Sequence, residues 1–250
     1  MGSRQNQGLN SLFQRFTMSI NHTVTPASLR SRFQALDDER ARTWTPEAFA
    51  VNRNQRAALI SHHDPASHVQ VGDILPDVSL PTVGGETVSL ETISGKGRSV
   101  LIFFRFSGCP ACNIALPYYR DTLWPALSAA GISLVAISPQ PLGPLNEIVH
   151  RHALPFPVAS DTGLKLSRAL GITYQFDEPS RRAAEAKGGD SGILNGLDQT
   201  WELPKPTVLL IGAGRVVHFV DVSPDWMDRS SSETILHAVR LTTEATSHAA

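Results

Sequence analysis

The sequence predicts an α/β fold in which helices flank a central sheet. Two apolar runs, residues 99–106 and 131–138, lie on either side of a helical pattern, and this arrangement is typical of a βαβ unit with parallel strands. Two later apolar runs, residues 207–211 and 216–220, are joined by a glycine-containing turn, which predicts an antiparallel hairpin. Parallel and antiparallel pairs together predict a mixed sheet.

The composition is that of a globular chain with one sizeable core. Of its 250 residues, 41% are hydrophobic and 18% are charged, and the net charge of −1 gives no electrostatic basis for binding nucleic acid. No apolar run approaches the ~20 residues that span a bilayer, and no secretory leader is recognisable. We therefore expect neither a nucleic acid nor a membrane as a partner.

Cysteine and acid usage indicate the compartment. The two cysteines are too few for a framework of structural disulfides, which favours a reducing, cytoplasmic location. The first carboxylate is Asp37, so the acid-free N-terminus leaves a mitochondrial transit peptide as the alternative. His62, His63 and His68 fall in a solvated connection, where we expect them to be exposed and unliganded. We expect no metal site and no cofactor.

The chain is predicted to have three parts, which are an N-terminal helical extension and linker (1–70), a main domain (71–243) and a tail (244–250). In the extension, cap signals near Ser28 and at Thr45 open two amphipathic helical patterns. In the main domain, residues 177–199 are rich in charge and glycine and interrupt the α/β alternation. Loops of that length often cover or gate a site.

The first apolar run leads into Cys109-Pro110-Ala111-Cys112 at the head of a helical pattern. Unpaired amides and the positive dipole end of a helix favour an anion, so we expect a lowered pKa for Cys109, the sulfur nearer the open end. Cys112 lies one turn further along, within disulfide reach. This placement indicates a thioredoxin-like redox site, with buried structural cysteines or half of a zinc site as the alternatives.

These features resemble the thioredoxin superfamily, in which Pro117 and Pro206 also have counterparts, the latter as a cis-proline before a strand. From about residue 71 to 241, the chain resembles the peroxiredoxin-like proteins of the alkyl hydroperoxide reductase and thiol-specific antioxidant family. Four segments carry this resemblance, namely residues 103–112, 136–140, 201–204 and 221–225, the last together with the final helical pattern, residues 230–241.

The resemblance implies a thioredoxin-like fold with a central mixed sheet and a thiol redox site. It implies that Cys109 and Cys112 are catalytic and that four residues line their site, namely Arg105, Pro110, Trp201 and Pro206. The Lys205–Pro206 bond is expected to be cis. The implied partners are a hydroperoxide or a protein disulfide as substrate and a thioredoxin- or glutathione-type reductant, and a homodimer is possible.

One position departs from the family pattern. Typical peroxiredoxins carry Pro-x-x-x-Thr-x-x-Cys, whose threonine hydroxyl helps to orient the peroxide, whereas this chain has Ile102 and Phe106 at those places. Peroxide reduction also needs a cation that holds the cysteine as a thiolate, and Arg105 is the nearest candidate in sequence. The alternative for Arg105 is a surface cation at a strand end.

Three functions fit the sequence. The main hypothesis is a thiol-dependent peroxidase in which Cys109 attacks the hydroperoxide and Cys112 resolves the sulfenic acid to a disulfide. The first alternative is a disulfide oxidoreductase that uses the same Cys-x-x-Cys on protein disulfides. The second alternative is a non-enzymatic redox-sensing module whose disulfide state alters the docking of the helical extension.

Overall fold

The computed structural model describes residues 27–247 of the chain, with side chains as far as residue 242. The acid-free N-terminus interpreted as a possible transit peptide lies almost entirely outside these residues. Ten helices are described, α1 (Leu29–Thr43), α2 (Pro46–Ser61), α3 (Leu90–Gly95), α4 (Pro110–Thr122), α5 (Trp124–Ala129), α6 (Leu142–His152), α7 (Lys165–Ala169), α8 (Glu178–Glu185), α9 (Ser191–Asn195) and α10 (Ser232–Ser247). Within the described residues, no helix is long and apolar enough to cross a membrane.

Nine strands form one large sheet and two small ones. They are β1 (Ser79–Pro81), β2 (Thr87–Ser89), β3 (Ser99–Phe103), β4 (Ser133–Ser138), β5 (Val158–Ser160), β6 (Thr173–Gln175), β7 (Glu202–Pro204), β8 (Thr207–Ile211) and β9 (Val217–Val222). The large sheet has the order β5-β4-β3-β8-β9, while β1 pairs with β2 and β6 pairs with β7.

The large sheet confirms the predicted mixture of pairings. Strand β3 is central, and Phe103 at its end aligns with Ile137 of the parallel strand β4 and with Thr207 of the antiparallel strand β8. The strands β3 and β4, with α4 between them in the chain, form the predicted βαβ unit. The strands β8 and β9 form the predicted hairpin. The thioredoxin-like arrangement therefore places the end of β3 beside the start of β8.

Alternation along β3 separates the core into two layers. Val100 and Ile102 pack in the cluster that contains α4 and α1, whereas Leu101 and Phe103 pack in the cluster on the other face of the sheet. Successive side chains of a strand point to opposite faces, so an uninterrupted apolar run is needed where both faces are covered. Burial of each such side chain stabilises the fold by roughly 2 kcal/mol.

The predicted N-terminal helices are confirmed and pack on the main domain. Ser28 and Thr45 cap α1 and α2 through hydrogen bonds to the amides of Ser31 and Ala48. Leu29 and Phe33 of α1 are buried in the same core cluster as α4. Helix α1 contacts α4, and α2 contacts α8, so the extension lies over the helical face of the large sheet.

The linker after α2 docks closely on the domain. Gly171 has a φ of +67°, and a Cβ atom there would lie 2.3 Å from the carbonyl oxygen of Ser67, so only glycine fits this approach. His62 is exposed as expected, but His63 and His68 are half-buried and stack with ring centroids 5.4 Å apart. The expectation of a fully solvated linker is wrong at these two positions because the linker packs against the domain.

Two sequence expectations are corrected in the second half of the chain. The Lys205–Pro206 bond is trans, as are all peptide bonds of the described residues. The Lys205 amide donates to the Ile172 carbonyl at 2.7 Å, and the Pro206 carbonyl accepts from the Ser223 amide at 2.8 Å. Backbone pairing on both sides therefore fixes the start of β8 without a cis bond, and β8 still lies next to β3.

The other correction concerns the ends of the predicted segments. The charge- and glycine-rich excursion, residues 177–199, is more regular than a loop, because it contains α8 and α9. Helix α10 continues to Ser247, into the segment interpreted as a tail.

Candidate active site

The two cysteines lie at the start of α4, after the loop that follows β3. Cys109 occupies the N-cap position of α4, and Pro110 takes the first helical position, which needs no amide donor. Both cysteines are free thiols and almost completely buried, with exposed fractions of 1% for Cys109 and 0% for Cys112. Pro110 is exposed and covers the start of the helix from outside.

The loop before Cys109 is fixed by polar side chains. The Ser107 amide donates to Gln140 Oε1 at 2.6 Å, and Asn113 Nδ2 donates to the carbonyls of Ser107 and Cys109 at 2.7 and 2.9 Å. Asn113 Oδ1 in turn accepts from Arg151 Nη1 at 2.9 Å and lies 2.8 Å from His152 Nε2. The sulfur of Cys109 is therefore held on a backbone with little freedom.

Arg105 is buried beside the first sulfur. Its Nη1 atom lies 3.8 Å from Cys109 Sγ, and only 7% of the residue is exposed. Four aromatic rings surround the guanidinium at centroid distances of 4.1–5.9 Å, those of Phe106, Tyr174, Phe176 and Trp226. No carboxylate in the described part of the chain forms an ion pair with it, so the Cys109 thiolate is the anion available to balance this charge.

A second arginine serves the second sulfur. Arg229 Nη2 lies 3.4 Å from Cys112 Sγ, and Arg229 Nε donates to the carbonyl of Trp226 at 2.8 Å. Arg229 comes from the turn between β9 and α10, more than a hundred residues after the cysteines. The dithiol is thus flanked by two guanidinium groups, one for each sulfur.

The surroundings separate the pKa values of the two thiols. Burial raises the pKa of Cys109, but the hydrogen bond from the Cys112 thiol and the charges of Arg105 and Arg229 outweigh burial and hold that pKa well below its ordinary value. The pKa of Cys112 lies well above its ordinary value because of burial and because its neighbour is the anion. Cys109 is therefore the thiol of the pair that ionises first, and Cys112 is its hydrogen-bond donor.

Comparison with known proteins now assigns the chain. Residues 71–220 match the AhpC/TSA family. The chain belongs to the AhpC/TSA family. A putative peroxiredoxin bcp of Coxiella burnetii is 30% identical over 104 residues, which cover 42% of this chain and 68% of that protein. The thiol-disulfide oxidoreductase ResA of Bacillus thuringiensis is 27% identical over 107 residues, covering 42% of this chain and 59% of ResA, which is less than two thirds of its length.

Solved structures of AhpC/TSA-like proteins share the fold. The crystal structure of peroxidoxin BcpB from Mycobacterium tuberculosis aligns with a TM-score of 0.53 and 22% identity, over 70% of this chain and 98% of that one. This likeness confirms the thioredoxin-like fold, while the family match and the bcp relative confirm that the protein is peroxiredoxin-like. The AhpC/TSA match begins at residue 71, so the helices α1 and α2 lie outside it.

The turn that carries Arg229 also lies beyond the AhpC/TSA match, and it is fastened to the extension. Arg56 of α2 forms a bidentate ion pair with Asp225, with N–O distances of 2.8 and 2.9 Å, and its Nη1 atom lies 2.9 Å from Asp37 of α1. Asp225 Oδ1 also accepts from the amide of Met227. The turn between β9 and α10 therefore positions Trp226 against Arg105 and Arg229 against Cys112. Its ion pair with α2 anchors it to the N-terminal helices.

We expect Asp225→Asn to weaken both the fold and the thiolate. Asparagine can still accept from the Met227 amide, but the charged fork with Arg56 is lost, at a cost of about 1–3 kcal/mol in the free energy of unfolding. The apparent pKa of Cys109, measured from its alkylation rate against pH, should rise because Arg229 and Trp226 lose their anchor.

Asp37→Asn is the matched control for Asp225→Asn, since it removes one contact of Arg56 and leaves the fork to Asp225 intact. An equal rise in the Cys109 pKa in both variants would contradict a specific role for the turn.

The structure brings together some of the residues predicted from sequence and separates others. Arg105 lies beside Cys109 Sγ and is only 7% exposed, so the interpretation as a surface cation is wrong. Trp201 contacts Phe176, with ring centroids 5.7 Å apart, so it backs the aromatic enclosure of Arg105 without reaching the sulfurs. Pro206 shares a small cavity of about 10 Å³ with Arg229, on the Cys112 side.

Three residues at the site were missed, Arg229, Trp226 and Tyr174. The family resemblance extended to residue 225 and the final helix, so the Trp226 and Arg229 positions lay in its reach, but no local pattern marks them. The described residues contain no group of three or more histidine, cysteine or acidic side chains placed to hold a metal.

Proposed function

We propose that this protein is a thiol-dependent peroxidase that uses Cys109 as the peroxidatic and Cys112 as the resolving cysteine. The observation that carries this proposal is the guanidinium of Arg105, 3.8 Å from Cys109 Sγ and enclosed by aromatic rings without a paired carboxylate. A buried cation of this kind stabilises the thiolate. It also stabilises the charge that develops on a peroxide as the O–O bond breaks.

The first step oxidises Cys109. The thiolate attacks the terminal oxygen of the hydroperoxide, the S–O bond forms, and the O–O bond pair leaves on the other oxygen, which takes a proton to become water or an alcohol. Cys109 becomes a sulfenic acid. The negative charge at Sγ is gone at this point, and Arg105 has lost its anionic partner.

Loss of that charge prepares the second step. The Cys109 anion is one of the causes that raise the pKa of Cys112, whereas Arg229 at 3.4 Å lowers it. Once Cys109 is a neutral sulfenic acid, the balance at Cys112 moves towards the thiolate. Cys112 then attacks the Cys109 sulfur, water leaves, and the intramolecular disulfide forms. The two cysteines ionise in sequence because each one's charge suppresses that of the other.

A thiol reductant of the thioredoxin or glutathione type completes the cycle, as one dithiol or as two monothiols that become a disulfide. A cleft of about 710 Å³, bounded by Ser28, Arg229 and Thr234 among others, gives a thiol an approach to the arginine that contacts Cys112. Attack on the Cys112 sulfur would release Cys109, the better leaving group because its pKa is lower. We propose that the protein works in the cytoplasm, where such reductants operate. We also propose that it is a homodimer, which sedimentation of the reduced and oxidised protein tests directly.

The disulfide oxidoreductase remains the second candidate. The Cys-x-x-Cys at a helix N-terminus and the ResA relatives favour it. The buried guanidinium of Arg105, 3.8 Å from Cys109 Sγ and without a paired carboxylate among the described residues, favours the peroxidase over it, because a developing oxyanion on a peroxide uses such a cation.

One comparison separates the two candidates. In the presence of an excess of a thiol reductant, the protein is mixed with hydrogen peroxide and, separately, with insulin, and peroxide loss and insulin precipitation are followed. A peroxidase consumes peroxide over many turnovers and leaves insulin nearly untouched. Fast insulin reduction without peroxide loss would make the oxidoreductase the correct function.

We expect the site to discriminate by size. Cys109 is enclosed beneath Arg105 and the ring of Trp226, so a small peroxide reaches the sulfur with less rearrangement than a bulky one. Second-order rate constants for hydrogen peroxide should exceed those for cumene hydroperoxide by at least about tenfold. Equal constants for the two peroxides would show that the enclosure opens before the reaction.

A further inference from the structure

Two polar groups beside Cys109 have no hydrogen-bond partner. Among the described residues, the hydroxyl of Tyr174 and Nε of Arg105 are both fully buried and unpaired. Buried polar groups are nearly always satisfied, because an unpaired group forfeits its hydration without compensation. Two such groups next to Cys109 are available to a molecule that binds at the sulfur.

Tyr174 is held rigidly where it lies. It sits in β6, pairs with Leu203 of β7, and is only 7% exposed. Its ring stacks between Phe176 and Trp226, with centroids 6.1 and 6.3 Å away and interplanar angles of 12° and 19°. Because two stacked rings hold the phenol, little reorganisation is needed to orient its hydroxyl when the reaction begins.

The ring and the guanidinium face the same centre. The guanidinium carbon of Arg105 is 5.8 Å from the Tyr174 centroid, and the hydroxyl lies close enough to the guanidinium for that charge to favour the ionised phenol, although the angle between the two groups falls short of a well-formed hydrogen bond. Burial dominates and raises the pKa of Tyr174 to about 12, so its hydroxyl keeps its proton at neutral pH. The loop itself contributes a ring rather than a hydroxyl three residues before Cys109, at Phe106.

We propose that the Tyr174 hydroxyl is a catalytic hydrogen-bond donor to the peroxide, acting together with Arg105. As the Cys109 thiolate takes the terminal oxygen and the O–O bond breaks, Tyr174 donates to the oxygen that leaves with the bond pair as hydroxide or alkoxide. That oxygen then takes a proton from solvent, and Tyr174 retains its own. This role rests on the peroxidase function proposed above.

The test is Tyr174→Phe, which removes one oxygen atom and keeps the stacked ring. Three quantities are measured on the reduced protein, namely the rate of a single turnover with hydrogen peroxide, the alkylation rate of Cys109 by iodoacetamide against pH, and the Tm. We expect the peroxide rate to fall by about 10²-fold, as for the loss of one donor to a developing oxyanion. The alkylation profile should stay unchanged, and the Tm should stay equal or rise because an unpaired buried hydroxyl is gone.

Tyr118→Phe is the matched control, since Tyr118 is also buried but its hydroxyl is bonded to Glu233 at 3.4 Å. It should leave the peroxide rate as in the wild type. A Tyr174→Phe protein with an unchanged peroxide rate overturns the proposal. So does one in which peroxide and alkylation rates fall together, because Tyr174 would then act through the thiolate.

The wild type separates this proposal from the peroxidase function. If the wild-type thiolate is alkylated rapidly but does not react with peroxide, the function itself fails. If the wild type reacts and the variant reacts equally well, only the role of Tyr174 fails.

Discussion

Replacing Cys109 with serine is expected to abolish peroxide consumption. A serine hydroxyl has no adjacent base here and stays protonated, so it supplies no nucleophile in place of the thiolate. Serine is close in size to cysteine, so the shape of the site should be kept, but the variant buries Arg105 without an anion and should be less stable than the wild type at neutral pH. Peroxide loss is followed colorimetrically with an excess of thiol reductant.

Cys112→Ser is the informative partner of Cys109→Ser. It leaves the nucleophile and removes the resolving thiol, so one equivalent of peroxide should be consumed and Cys109 should remain as a sulfenic acid that dimedone traps. Sustained turnover by Cys112→Ser with the reductant present would remove Cys112 from the resolving step. Retained turnover by Cys109→Ser would show that another group carries the chemistry.

The sequence was sufficient for the frame of the site because its determinants are local. A run of apolar residues from Ser99, a break, and Cys109 at a helix start fix the strand, the loop and the N-cap within about fifteen positions. Arg105 belongs to the same stretch, so chain proximity made it a candidate, but the sequence left a surface position open as the alternative. The pairing of β3 with β4 followed from the crossover rule.

The rest of the site depends on long-range packing. Arg229 reaches Cys112 only because β9 lies at the sheet edge next to β8 and the turn after it is tied to Arg56. Tyr174 lies in a strand of three residues whose partner is separated from it by the α8–α9 excursion. No periodicity predicts pairs of that kind, since such short strands carry too few residues for a pattern.

The predicted cause of the Cys109 pKa was incomplete for the same reason. The helix N-terminus does contribute, through the Cys112 amide, but the Cys112 thiol and the two arginines contribute more. A motif identifies the thiol that ionises, whereas the charges that set its pKa come from wherever the fold brings them.

Arg105→Met is expected to have the second-largest effect. Methionine fills much of the space among the four rings without a charge, so the variant keeps the enclosure and loses the cation at 3.8 Å from Cys109 Sγ. The pKa of Cys109 should rise, because burial then meets less opposition from positive charge. The peroxide rate at neutral pH should fall by about 10²–10³-fold, since both the thiolate fraction and the stabilisation of the transition state decrease.

Arg181→Met is the control for Arg105→Met, because Arg181 forms only surface ion pairs on α8. It should leave the pKa of Cys109 and the peroxide rate as in the wild type. Arg105→Lys, which keeps the charge but not the planar fork, should fall between the wild type and Arg105→Met. An unchanged Cys109 pKa in Arg105→Met would mean that Arg229 and the Cys112 thiol suffice to hold the thiolate.

Stability against pH gives an independent measure of the same interaction. Because the pKa of Cys109 is depressed in the folded protein, the folded state binds fewer protons than the unfolded state between that pKa and the unfolded value of about 8.5, and the free energy of unfolding rises with pH across this window. In Arg105→Met the folded-state pKa of Cys109 moves closer to the unfolded value, so the free energy of unfolding should rise less with pH. At acidic pH, where Cys109 is neutral and the wild type buries Arg105 without an anion, the variant should be at least as stable as the wild type. The free energies of unfolding of the wild type and Arg105→Met, plotted against pH, should therefore approach or cross as the pH falls. A constant difference between them at all pH values would show that Arg105 stabilises the fold by packing rather than through the thiolate.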